Sequence, residues 1–177
     1  MFGLVGGIAA AAVAPNVAGP REDGTALTPV GQRVTPAGHQ TGLGDLPLNS
    51  ALSPDGATLL VTNNGQGTQS LQVVDVAAGT VVQTLPYTAL ESLYMGLAWS
   101  ADGTKAFASA AANSKIRTYS SADGVLTEGE SLPLPTTAPD GAPLNLFPAG
   151  LALTPDGTRL VVADQLRHPW STWPPAP

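Results

Sequence analysis

The residues able to do chemistry in this chain are few and scattered. Cysteine is absent, which excludes disulfides, thiolate metal sites and a Cys nucleophile. Only two His occur, His39 and His168, and a His-based metal site needs several ligands converging on one point. No phosphate-cradling GxxxxGK[ST], HExxH, EF-hand loop or GxSxG elbow is present. Six of the thirteen acidic residues, Asp23, Asp55, Asp102, Asp123, Asp140 and Asp156, stand directly before Gly. Asp-Gly is turn chemistry, because Asp bonds its own backbone and Gly accepts positive φ. Asp75, ahead of Ala77-Ala78-Gly79, reads as a turn carboxylate too, since a general base needs a partner within reach. What remains is Asn63, Asn64 and Asp164, polar groups that end equivalent apolar runs. They are candidate ligand contacts facing a channel or rim, although Asn64-Gly65 is also a turn signal. The residues assign no catalytic residue, no cofactor and no metal site.

The elements that position these groups follow from composition and repetition. Of 177 residues, 43% are hydrophobic and 11% charged, with 20 Gly and 17 Pro. That is too apolar for disorder and too rich in breakers for a helical bundle. The net charge of −6 with seven scattered Lys and Arg excludes a basic groove for nucleic acid.

A repeat is visible. Ala51-Leu52-Ser53-Pro54-Asp55-Gly56 matches Ala98-Trp99-Ser100-Ala101-Asp102-Gly103 and Ala152-Leu153-Thr154-Pro155-Asp156-Gly157. Each copy is followed by a short apolar run: Leu59 to Thr62, Ala106 to Ser109, Leu160 to Ala163. A strand covered on both faces reads this way. Third strands follow at Ser70–Asp75 and Lys115–Tyr119. Fourth strands follow at Thr80–Leu85 and around Gly129 to Leu132. The unit is strand, Asp-Gly turn, strand, polar loop, strand, turn, strand. Fixed-period self-similarity is the mark of repeat folds, and a sandwich gives no reason for it. The expected class is all-β: a partial β-propeller of about two and a half four-stranded blades, its ring not closed.

The expected organisation is as follows. Residues 1–19 are an apolar segment like the core of a secretory signal peptide, without a basic n-region. It is too short to span a bilayer comfortably as a helix, and it places the protein in the periplasm or envelope, or outside the cell. Residues 20–32 lead in. Residues 33–166 are the propeller: a closing strand at 33–46, blades at 47–86 and 93–134, and a half blade at 147–166. Trp99 is expected to pack between blades. Tyr87, Leu90, Leu93, Tyr94 and Met95 are expected to pack in the core or rim of a blade-to-blade connection. Residues 167–177 hold four prolines, which cannot pair in a central strand. With GC-rich codons chosen for it, this tail spells SPVVDLATGA in a shifted frame, close to SLQVVDVAAG from Ser70. A frameshift near Leu166 is the expectation.

The run SPDGATLLVTNNG and SLQVVDVAAG resembles the YVTN/YncE-like repeats of secreted bacterial propellers. REDGTALTPVGQRVTPAGHQ, LGDLPLNSALSPDG and VTNNGQGTQSLQVVD resemble the N-terminal part of bifunctional proteins that join such a propeller to a phosphoesterase domain of the alkaline phosphatase superfamily. The resemblance implies a metal-dependent phosphoesterase whose metal ligands and nucleophile lie in that other domain, so none maps onto this chain. The expected function is a non-catalytic scaffold or binding module, a piece of such a protein. Its partner is an unidentified small molecule or protein, or the missing blades. Two rivals are a fragment of a propeller lactonase and a self-assembling partial propeller.

Overall fold

The Asp-Gly turn builds each repeat with one set of hydrogen bonds. In the computed structural model, the Ser53 hydroxyl donates to Asp55 Oδ1 at 2.5 Å, and the same oxygen accepts the Ala57 N–H at 3.0 Å. The Thr58 N–H returns to Ser53 Oγ at 2.9 Å. Ser100, Asp102, Thr104 and Lys105 repeat the set at 2.6, 3.0 and 2.8 Å. Thr154, Asp156, Thr158 and Arg159 repeat it again. Gly56, Gly103 and Gly157 close these turns at φ of 73, 71 and 67°, a region open to Gly at little cost.

The structure describes residues 17–138 and 140–166, and the backbone of 171–173. The chain divides after Gln40 into two units. In the first, β1 (Gly19–Pro20), β2 (Ala26–Leu27) and β3 (Arg33–Val34) form a small antiparallel meander. An Arg33–Asp23 ion pair ties β3 to the turn between β1 and β2.

The second unit contains three sheets. The first runs β4 (Pro47–Leu52), β5 (Thr58–Asn63), β6 (Gln69–Asp75) and β7 (Thr80–Tyr87), in that order. The second runs β8 (Leu97–Trp99), β9 (Lys105–Ala110), β10 (Lys115–Ala122) and β11 (Val125–Glu128), with β12 (Leu132–Pro133) also on β10. A 3-10 turn over Ala111–Asn113 joins β9 to β10. The third sheet holds β13 (Pro148–Leu153), β14 (Leu160–Asp164) and β15 (Ser171–Trp173). No described helix is long and apolar enough to cross a membrane.

The core lies between sheets. Leu60, Leu71 and Val73 of the first sheet meet Ala106, Ala108 and Tyr119 of the second. On the other side Phe107 and Ile116 meet Leu160 and Val162 of the third. Alternation along β9 explains both contacts: Ala106 and Ala108 point one way and Phe107 the other. Polar contacts complete the joint. The Gln83 amide accepts the Leu126 N–H and donates to the Leu126 carbonyl, both at 2.8 Å, so it pairs with β11 as a strand edge would. Trp99 packs against the core as expected, and its indole N–H reaches Ala51 O at 3.1 Å.

Several expected boundaries change. The fourth strand of the second blade begins at Val125, directly after the Asp123-Gly124 turn, and not near Gly129. Gly129 instead interrupts that edge, bonding Thr118 O at 2.9 Å before β12 resumes pairing. The expected closing strand at 33–46 is divided. Arg33–Val34 pairs with β2, and 35–46 carries no strand. Thr41 Oγ1 donates to Gly79 O at 2.6 Å and Gly44 N to Gln72 Oε1 at 2.9 Å, which holds residues 41–44 against the first sheet. The tail, expected to be unable to pair, supplies β15, where Ser171, Thr172 and Trp173 stand opposite Val162, Val161 and Leu160. These three residues lie between Pro169 and Pro174 and keep their N–H donors. Met1 to Asn16, His168 and Trp170 lie outside the described residues.

Gly96, directly before β8, passes close to β13. A Cβ there would lie 2.1 Å from Ala149 O and 2.7 Å from Ser109 Oγ. Gly96→Ala is expected to destabilise the fold by about 2 kcal/mol or more, as overpacking against backbone does. Urea unfolding of the two proteins checks this.

Candidate functional site

Asn63 and Asn64 stand at the end of β5 and Asp164 at the end of β14, on separate blades. Asn63 ends β5 fully buried. Its amide donates to Gln72 Oε1 at 2.9 Å and Ser70 Oγ at 3.2 Å, and its Oδ1 accepts no hydrogen bond among the described residues. It lies on the same face of the first sheet as Ser70 and Gln72, beside Gly44. Asn64 donates its side-chain amide to Leu93 O, which ties the first blade to the 88–96 connection. Asp164 occupies in β14 the place of Asn63 in β5. It accepts the Phe147 N–H at 3.1 Å and the Leu166 N–H at 2.7 Å.

Asn113 plays a similar part in the second blade. Its Oδ1 accepts from the Ser92 N–H and hydroxyl at 2.7 and 3.0 Å, and its amide donates to Leu90 O at 2.5 Å. Asp75 acts as the expected turn carboxylate, accepting the Ala78 N–H at 2.9 Å. Of the connection residues, Tyr87 and Leu93 are buried, and Leu90 is exposed. Tyr94 meets the Phe147 ring edge-on at 5.4 Å. His39 lies exposed in the first unit.

A second cluster was not read from the sequence. Arg117, its side chain 5% exposed, lies between the first two blades. It pairs with Glu128 at 2.6 Å and with Glu91, and its guanidinium stacks over the Tyr87 ring at 3.9 Å. Its Nε donates to Ser92 O at 3.2 Å. Lys115 adds a second bond to Glu91 at 2.9 Å. The Tyr87 and Tyr119 hydroxyls lie 2.7 Å apart, and Tyr87 also donates to Glu128 at 3.1 Å. The order consistent with one proton each is Tyr119 to Tyr87 to Glu128. Two cations meet two carboxylates, so the cluster is neutral. The one signal in the sequence is an Arg set directly after Ile116 and two residues before Tyr119, the large apolar residues of β10.

Burial pushes both phenols far above their ordinary range, with Tyr119 raised further by Tyr87. Neither can serve as a base near neutrality. Burial opposes the Arg117 cation, but the bonds and charge of Glu128 outweigh it and hold the proton more firmly. The Lys115 bond first, and then Arg117, keeps the Glu91 carboxyl below its ordinary value. The cluster fastens two sheets.

No family model matches the chain, and no curated protein matches it. Solved structures do. The beta-propeller domain of Cps50 (Swd1) from Myceliophteria thermophila superposes with a TM-score of 0.53 at 14% identity, covering 72% of this chain and 39% of that one. The fold is a β-propeller. A protein from Lactobacillus plantarum gives 0.55 at 18% identity, covering 79% and 40%. XC5397, a gluconolactonase from Xanthomonas campestris, gives 0.50 at 19%, covering 79% and 40%. The chain thus spans less than half the length of each of these propellers.

The charged cluster makes two expected outcomes. Arg117→Met is expected to cost about 2 kcal/mol of stability, because it leaves two carboxylates facing a partly buried gap; denaturant titration measures it. The second concerns acid. Glu91, Asp55, Asp102 and Asp156 all have lowered values, the last two down to about 2. A lowered folded value means that each group's stabilisation is complete above its unfolded value and is lost as pH falls through the folded one. The unfolding midpoint should therefore drop steadily from about pH 4 towards pH 2. In Arg117→Met the part due to Glu91 should shrink, which parallel thermal melts would show.

Proposed function

We propose that this chain is part of a β-propeller that serves as a non-catalytic binding scaffold within a longer envelope or secreted protein. One observation carries this reading: the polar side chains at the strand ends are spent on the chain's own connections. Asn64 holds Leu93 O, Asn113 holds Ser92 and Leu90, and Asp164 holds the Phe147 and Leu166 amides. These bonds fasten strand ends to neighbouring connections in all three blades, as a scaffold requires and a reaction centre does not. The YVTN/YncE-like character of the repeats supports placing the chemistry of the parent protein in a separate phosphoesterase domain.

A second reading is a lactonase fragment, favoured by the likeness to the X. campestris gluconolactonase. It would make Asp164 and Asn63 contacts for a sugar lactone. The two readings separate in one assay. The purified chain is expected to open gluconolactone and to cleave p-nitrophenyl phosphate no faster than buffer does, followed by pH-stat and by absorbance. Lactone opening above the buffer rate that Asp164→Ala removes would overturn the scaffold reading.

A further inference from the structure

Opposite the connections, the turn ends of the first two blades border a groove of about 780 Å³. Its walls carry two kinds of surface. Val76, Val82 and Val125 are 45, 54 and 51% exposed there, so three apolar side chains face water in one groove. Around them stand the carboxylates of Asp55, Asp75, Asp102 and Asp123, and among the described residues no Lys, Arg or His lines the groove. None of the four forms an ion pair among the described residues.

The turns leave part of this charge unused. In Asp55 and Asp102 the bonds from Ser53, Ala57, Ser100 and Thr104 all go to Oδ1. Asp75 likewise meets Ala78 through Oδ1. In each case the second oxygen is outside these turn bonds and available to an incoming donor. The Ser53 and Ser100 hydroxyls, with the backbone N–H groups, also keep Asp55 and Asp102 ionised.

We propose that this groove docks an extended segment of a partner protein in which basic and apolar residues alternate. In an extended chain successive side chains point to opposite sides. Apolar residues can then lie on the three valines while Arg or Lys reaches the carboxylates along the rim, where Arg can bond a carboxylate with two N–H groups. Charge complementarity selects this occupant. A second copy of this chain, with its net charge of −6 and seven cations, is a poor match. The proposal rests on the scaffold reading and names its surface and partner class.

The test is isothermal titration calorimetry of the full chain with a capped peptide of alternating Arg and Val. The controls are the same peptide with Gln for Arg, and spermidine. Saturable binding that weakens with added salt is expected. Asp75→Asn with Asp123→Asn should weaken it by about tenfold or more. Asn keeps the acceptor at residue 75 and tolerates the φ of 52° at residue 123, so the turns survive. Val82→Lys, on the exposed outer strand, should give a similar loss with an unchanged melting temperature. Failure of the wild-type chain to bind would overturn the proposal. So would equal affinity for the Gln peptide or for spermidine, or unchanged affinity in both variants. Lactone hydrolysis in the preceding assay would remove the scaffold reading, whereas an inactive chain that ignores the peptide removes the groove alone.

Discussion

A middle strand such as β9 has no face left for water. Ala106 and Ala108 press on the first sheet, and Phe107 presses on the third. Each sheet on its own is a meander with two apolar faces, and it becomes stable only when neighbours cover both. This mutual covering fixes much else. Small side chains in β9 let the first two sheets approach, and a bare backbone at Gly96 lets the inner strands of the second and third meet. The tight Asp-Gly turns serve the same end, because they return each strand at the register that keeps its apolar set in the gap.

The places where polar groups enter this gap show what the covering has to solve. Gln83 sits where one outer strand faces another, and its amide satisfies both backbone groups of Leu126. Arg117 is the harder case, a full charge between two sheets. Leaving it unpaired would cost several kcal/mol, and Glu91, Glu128 and the face of Tyr87 surround it. The arrangement gives one relative placement of the first two blades in which every partner is met. Asn63, on the opposite face of the first sheet beside Ser70 and Gln72, is less complete. Its amide hydrogens are used and its carbonyl oxygen is not.

Much of the fold was legible along the chain because its signals are local. Ser/Thr-x-Asp-Gly specifies a turn through bonds that span five residues, and an apolar run after it specifies a buried strand. The tail was misread for a related reason. Four prolines counted over eleven residues argue against pairing, but pairing depends on which residues keep an N–H, and Ser171 to Trp173 do. The edge around Gly129 was misplaced because an outer strand is weakly patterned, and the turn at Asp123-Gly124 was the better guide.

The site was less legible, and the reason is distance in sequence. Asn63, Asn64 and Asp164 could be picked out as polar ends of apolar strands, but the partners of Asn64 and Asp164 are residues of connections that carry no pattern of their own. Glu91 lies 26 residues from Arg117, in a loop, and Glu128 lies 11 residues away across a turn. The amino-acid sequence by itself determined the repeating strand-and-turn unit, because each turn closes through neighbours along the chain and each strand declares its burial by composition. Only the tertiary structure decided which carboxylates meet Arg117 and which valines and aspartates come to share one groove. Those meetings arise when separate blades pack, and no short-range rule encodes them.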